Sequence, residues 1–199
     1  MSSNPPEGLG RIAVRGTYFD VAFVCTGNRF RSPLAAALLT ARTADLPVRT
    51  SSVGILDLGS TTVLPEAVRL GSSFGVDLSG HRTRCLNDVN LEAFDLVLAF
   101  EWTHVHAAIV DGRARIEQTF TLPELVGLLE KLPHASGAQS VPVVQARARV
   151  EAAHSLRPPG FRRRRSPEIP DPLGRSPSAQ RRIAEEVRVL VDGLSRMLF

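Results

Sequence analysis

The stretch VAFVCTGNRFRSPLAAALL (residues 21–39) decides the fold. Its first part completes a short apolar run, YFDVAFVC (18–25), which reads as a buried strand. Its last part opens SPLAAALLTARTA (32–44), which reads as a helix with Ser32 at the cap and Pro33 in the first turn. Between them lies CTGNRFR (25–31), a loop too short for anything but a direct strand-to-helix turn. Cys25 therefore stands at the carboxyl end of a strand and faces the start of a helix.

The same alternation continues outward. Strands are expected at VRTSSVGIL (48–56), FDLVLAF (94–100) and RIEQTF (115–120). Helices are expected at LPEAVRLGSSFG (64–75), THVHAAIV (103–110) and LPELVGLLEKL (122–132). A final helix follows Ser176-Pro177, with Ile183, Val187, Leu190, Leu194 and Leu198 spaced by three and four along one face. Strands that alternate with helices imply an α/β fold: a doubly wound, flavodoxin-like sheet of about four parallel strands, covered on both faces. Residues 1–17 read as a flexible tail and 18–199 as one domain. Residues 133–168 interrupt the alternation as an inserted excursion, with a possible helix in VPVVQARARVEAAHSL (141–156) and a Pro/Arg-rich end containing Arg162–Arg165. That arginine run reads as a solvated face, with a cover for the site or a contact for an acidic partner as the alternatives.

Composition narrows the function classes. The chain has 199 residues, 43% hydrophobic and 22% charged, enough for a core without disulfides. Its two cysteines, Cys25 and Cys85, form no paired framework or Cys/His cluster, which suggests a reducing, cytoplasmic setting. The start lacks the apolar core of a signal peptide, and no run approaches a membrane span. A net charge of +4, carried almost wholly by arginine, does not make a nucleic-acid binder. His104 and His106 lie two apart, off a common helical face, so no metal or other cofactor is expected.

In a parallel sheet of this kind ligands bind beyond the carboxyl strand ends, where Cys25 is expected. Unpaired N–H groups at the helix start favour an anion. Gly27 and Asn28 are the residue types that accept left-handed backbone angles. Arg31 can grip two phosphate oxygens at once. The same positive surroundings favour a thiolate on Cys25. A thiolate in an anion cradle points to phosphoryl transfer through a phosphocysteine.

VCTGNRFRSP resembles the phosphate loop of the low-molecular-weight protein tyrosine phosphatases, Cys-x-Gly-Asn-x-Cys-Arg-Ser-Pro. TSSVGI (50–55), GVDLSGHRTRCL (75–86), FDLVLAFEWTH (94–104) and IPDPLGRSPSAQRRIAEEV (169–187) are similar to that family's later segments, in the same order. The resemblance implies Cys25 as nucleophile, Arg31 as phosphate ligand, Asp171 as general acid and then base, and Ser32 as a hydroxyl donor to the thiolate. It implies substrate contacts from Thr26, Gly27, Asn28, Arg29, Phe30 and Leu173, with Asn28, Ser52 and His81 supporting the loop. His81 and Arg84 read as scaffold. The substrate would be a phosphorylated protein or a small phosphate ester, with no nucleic acid or membrane partner.

Two positions depart from the family pattern. Phe30 stands where the loop usually has a second cysteine. Leu173-Gly174 follows Asp171-Pro172 where aromatic residues usually line the phosphotyrosine ring. These departures motivate an alternative, a non-catalytic phosphate-binding module. Arsenate reduction is a weaker alternative, because LVLAFEWTH carries no relay cysteine.

Overall fold

A computed structural model describes residues 16–133, 141–158 and 167–199. Four strands, β1 (Phe19–Cys25), β2 (Val48–Gly54), β3 (Leu96–Ala99) and β4 (Thr119–Thr121), form one parallel sheet in the order β2-β1-β3-β4. The helices are α1 (Arg31–Arg42), α2 (Pro65–Ser73), α3 (Trp102–Val110), α4 (Leu122–Leu129), α5 (Pro142–Ser155) and α6 (Pro177–Leu198). This is the expected doubly wound α/β architecture. The crossover from β1 outward to β2 and back to β3 puts a switch point beside the end of β1, where crevices open in such sheets.

Alternation along β1 explains the two-sided core. Phe19, Val21, Phe23 and Cys25 pack in one cluster with residues of α1, α4, α5 and α6, while Ala22 and Val24 join Val53, Leu86, Leu91, Val97 and Ala108. Every residue of β1 except Asp20 is fully or nearly fully buried, so its register cannot slip without exposing one face. The expected helix inside 133–168 forms as α5 and buries Val143, Ala146, Val150 and Ala153 in the first cluster. Residues 1–15 and Arg162–Arg165, on which the tail and the arginine-run readings fall, lie outside the described residues.

Element ends differ from the sequence reading where tertiary demands win. β3 is only Leu96–Ala99, because Phe94 caps a short 3-10 turn over Leu91–Ala93. β4 begins at Thr119 after another 3-10 turn over Ile116–Gln118. The larger correction concerns α1. It starts at Arg31 with Phe30 in the cap position and no side-chain cap, so Ser32 is not the cap but a buried residue of the first turn.

Candidate active site

Cys25 ends β1, and the loop after it is fixed from three directions. Its carbonyl accepts from Ile55 N (3.0 Å), the Thr26 carbonyl from Leu56 N (2.9 Å) and the Arg29 carbonyl from Leu64 N (2.9 Å). Asn28 takes the left-handed backbone, φ 53°, which its type tolerates. Gly27 was expected to share that role and does not, since its φ is not positive. Gly27 is instead where Leu58 comes close: an added Cβ would meet Leu58 Cδ1 at 3.1 Å.

Asn28 is fully buried and saturated. Its Nδ2 donates to Ser32 Oγ and Ser52 Oγ, both at 2.9 Å. Its Oδ1 accepts from Arg84 N (3.0 Å) and from His81 Nε2 (3.1 Å). His81 Nε2 also meets the Asn28 carbonyl at 3.1 Å, and since both oxygens only accept, Nε2 carries the proton. Burial pulls the His81 pKa below its ordinary value, with Arg84 and Arg82 adding to the effect and the Asn28 bond opposing it. Gly54, paired with Cys25 across the sheet, was not singled out by the sequence reading. An added Cβ there would lie 2.9–3.0 Å from the backbone of Thr26, Gly27 and Asn28, so the loop rests in the space a side chain would fill.

Freed from capping, Ser32 Oγ sits 3.0 Å from Cys25 Sγ. Its other partners are Asn28 Nδ2, which donates to it, and the Val53 carbonyl at 3.3 Å. Its one hydroxyl hydrogen can go to the Val53 carbonyl or to the nearer Sγ, so turning it from the carbonyl lets Ser32 donate to a thiolate. Cys25 itself is 3% exposed and opens on a cavity of about 220 Å³. Thr26, Gly27, Arg29, Phe30, Arg31, Leu56, Leu58, Leu64, Asp171 and Leu173 complete its wall. Ser52 and His81 do not line this cavity; they hold Asn28, which lies inside the loop as scaffold rather than as lining.

Arg31 is 1% exposed and its guanidinium hydrogens can be followed one by one. NH1 donates to the Ile169 carbonyl (2.9 Å) and faces Glu101 Oε1 (3.1 Å). NH2 donates to Thr26 Oγ1 (3.0 Å) and Asp171 Oδ2 (2.5 Å). Nε has no partner among the described residues. Asp171 is 38% exposed and lies in a turn in which Arg175 N donates to the Pro172 carbonyl (3.1 Å), with Gly174 at φ 72°. The segment before it is tethered to β3, with Ile169 N donating to the Phe100 carbonyl at 2.8 Å.

Two site residues escaped the sequence reading, Glu101 and His104. Both belong to the start of α3, which β3 delivers beside β1. A Glu-x-x-His pair directly after a strand was the available signal, because that spacing puts both side chains at one helix start.

Residues 20–129 match the family described as low molecular weight phosphotyrosine protein phosphatase. The chain belongs to that family. As a member it is a phosphoric monoester hydrolase. The protein-arginine-phosphatase of Bacillus subtilis is 38% identical over 112 residues, 54% of this chain and 72% of the relative. The low molecular weight protein-tyrosine-phosphatase Etp of Escherichia coli is 36% identical over 43% of this chain and 57% of its own length. A solved structure of the YwlE arginine phosphatase, a Cys-to-Ser mutant with a phosphorylated active-site serine, superposes with a TM-score of 0.63. It is 26% identical and covers 90% of this chain and 95% of its own. The family match ends with α4, so the 171–174 turn and α6 are joined to it through the fold rather than the matched segment.

Proposed function

We propose that this phosphatase cleaves phosphomonoesters through a phosphocysteine on Cys25, and that its preferred substrate is phosphotyrosine in a protein. One observation carries the reading: Sγ of Cys25, backed at 3.0 Å by a serine hydroxyl, opens on the same cavity as Arg31 and Asp171. The relative with phosphate on a serine that replaces its cysteine supports the covalent step.

In the first step the Cys25 thiolate attacks phosphorus, an S–P bond forms and the ester P–O bond breaks. The leaving oxygen takes a proton from Asp171. In the second step Asp171 takes a proton from water, the water oxygen bonds to phosphorus, and the S–P bond breaks. Ser32 stabilises the departing thiolate. Arg31 holds the phosphoryl oxygens with its Nε–H and the NH2 hydrogen now on Asp171, so phosphate entry and release of Asp171 are one exchange. A reducing, cytoplasmic compartment suits such a free thiol.

Substrate preference follows from the cavity wall. Leu56, Leu58, Leu64 and Leu173 suit the apolar ring of phosphotyrosine, though without aromatic stacking. Arg29, its Nε fixed on the Thr62 carbonyl at 2.9 Å, adds a cation to the same wall. The cationic guanidinium of phosphoarginine would face that charge, with the Asp171 carboxylate as its acceptor and leucines over the rest of the wall. The test is turnover of phosphotyrosine and phosphoarginine peptides by wild type and Cys25→Ser. Cys25→Ser should abolish both activities, and wild type should favour the tyrosine peptide. Retained turnover in Cys25→Ser would sink the covalent mechanism, and an arginine preference would sink the substrate assignment.

A further inference from the structure

We propose that the Thr26 side-chain hydroxyl is a phosphate-binding donor and that His104 is the positioning residue that aims it. The proposal rests on the cavity at Cys25 being the phosphate site.

The direction of each hydrogen bond leads to it. His104 Nδ1 lies 3.1 Å from Glu101 N, and a backbone N–H can only donate, so Nδ1 carries no proton. The ring is fully buried beside the Arg31 guanidinium, and burial first, then that charge, pushes its pKa down to about 3. A neutral ring with bare Nδ1 must bear its proton on Nε2. That N–H points at Thr26 Oγ1, 2.9 Å away, with Glu101 Oε2 at a longer 3.4 Å. Thr26 Oγ1 also accepts from Arg31 NH2 at 3.0 Å.

Two donors thus fill both lone pairs of the Thr26 oxygen, and its own hydrogen has to be given away. No acceptor for it exists among the described residues, and Thr26 lines the cavity that holds Cys25 and Arg31. The oxygen is bonded to the same NH2 group that reaches Asp171, the place a phosphoryl oxygen takes in the exchange described above. His104 thereby converts an ambivalent hydroxyl into a dedicated donor beside Arg31. Had the imidazole carried its proton on Nδ1, Thr26 would have donated to the ring and offered nothing to an anion.

The experiment uses the full chain: p-nitrophenyl phosphate turnover with Cys25 intact, and calorimetric binding of inorganic phosphate in a Cys25→Ser background. Thr26→Val should lower kcat and weaken phosphate each by about tenfold, the scale of one lost donor to an anion. Thr26→Ser should stay within about threefold of the parent. His104→Gln keeps a donor near the Nε2 position and should resemble the parent. His104→Asn keeps an acceptor for Glu101 N but loses that donor, and should resemble Thr26→Val. The double variant Thr26→Val/His104→Asn should be no worse than Thr26→Val alone.

A Thr26→Val protein within twofold of the parent in both assays overturns the proposal. So does the reverse histidine pattern, Asn harmless and Gln harmful, which marks His104 as a helix-start residue only. If a histidine variant does not fold, the Thr26→Val and Thr26→Ser pair decides alone. A parent Cys25→Ser protein that binds no phosphate overturns the phosphate reading itself, whereas binding indifferent to Thr26 overturns only the role given to that side chain.

Discussion

The two halves of the active site are built to different standards. At the centre of the loop after Cys25, Asn28 is fully buried, its side-chain hydrogen bonds run to α1, β2 and the 81–84 segment, and Gly54 makes room beneath the loop. The acid loop at 171–174 carries Leu173 at 68% exposure, and Asp171 is held there by Arg31 and by Leu173 N at 2.9 Å. Buried, mutually satisfied polar groups cannot move without losing several bonds together. An exposed turn held by one ion pair and local bonds can. On the proposed mechanism, Cys25 is therefore kept in place before substrate arrives, while Asp171 is released by the substrate's own charge.

The contrast can be broken hardest from the rigid side. Asn28→Ala removes four side-chain hydrogen bonds and forces alanine to φ 53°. It should cost about 3 kcal/mol in urea melts and more than about 100-fold in kcat/KM. A loss under about threefold would show that the loop holds its shape without that hub.

On the mobile side, Asp171→Ala should leave stability almost unchanged. It should lower kcat about 100-fold for alkyl phosphates and less for p-nitrophenyl phosphate, whose leaving group needs little protonation. The same variant should bind inorganic phosphate a few-fold more tightly, since the carboxylate no longer competes for Arg31. Weaker phosphate binding would mean that Asp171 serves as part of the cradle rather than as its competitor.

The smallest effect is in pH. His104 and His81 have folded pKa values below the ordinary 6.5, His104 at about 3. The unfolded chain therefore binds protons that the folded chain refuses as pH falls below 6.5. Stability from these neutral rings is complete above about 6.5 and drains away between there and about pH 3. Thermal melts of His104→Gln should fall less steeply across that window than those of wild type.

Much of this was legible in the sequence because it was local. CTGNRFRSP lies between a strand and a helix, so Cys25 and Arg31 had to fall around one cavity, with Asn28 inside the loop that joins them. Asp171 was legible only through its order relative to that loop, being 140 residues from its Arg31 partner. Ser32 was half misread, because Ser-Pro is a strong start signal, yet the helix begins a residue sooner to bring the hydroxyl against sulfur. Glu101 and His104 stayed hidden for a topological reason. Nothing near them in the chain says that β3 lies beside β1, and only that neighbour turns a helix-start pair into part of the site.

Phe30, buried at 4% exposure where a second loop sulfur is usual, leaves Cys25 chemically alone. Cys85 bridges Gly54 on the side away from Cys25, so the two thiols are separated by two strand spacings, about 9–10 Å, beyond disulfide reach. A peroxide that converts Cys25 to a sulfenic acid meets no resolving partner within the described fold. Recovery then falls to small thiols from solution, in competition with overoxidation to the permanent sulfinic state.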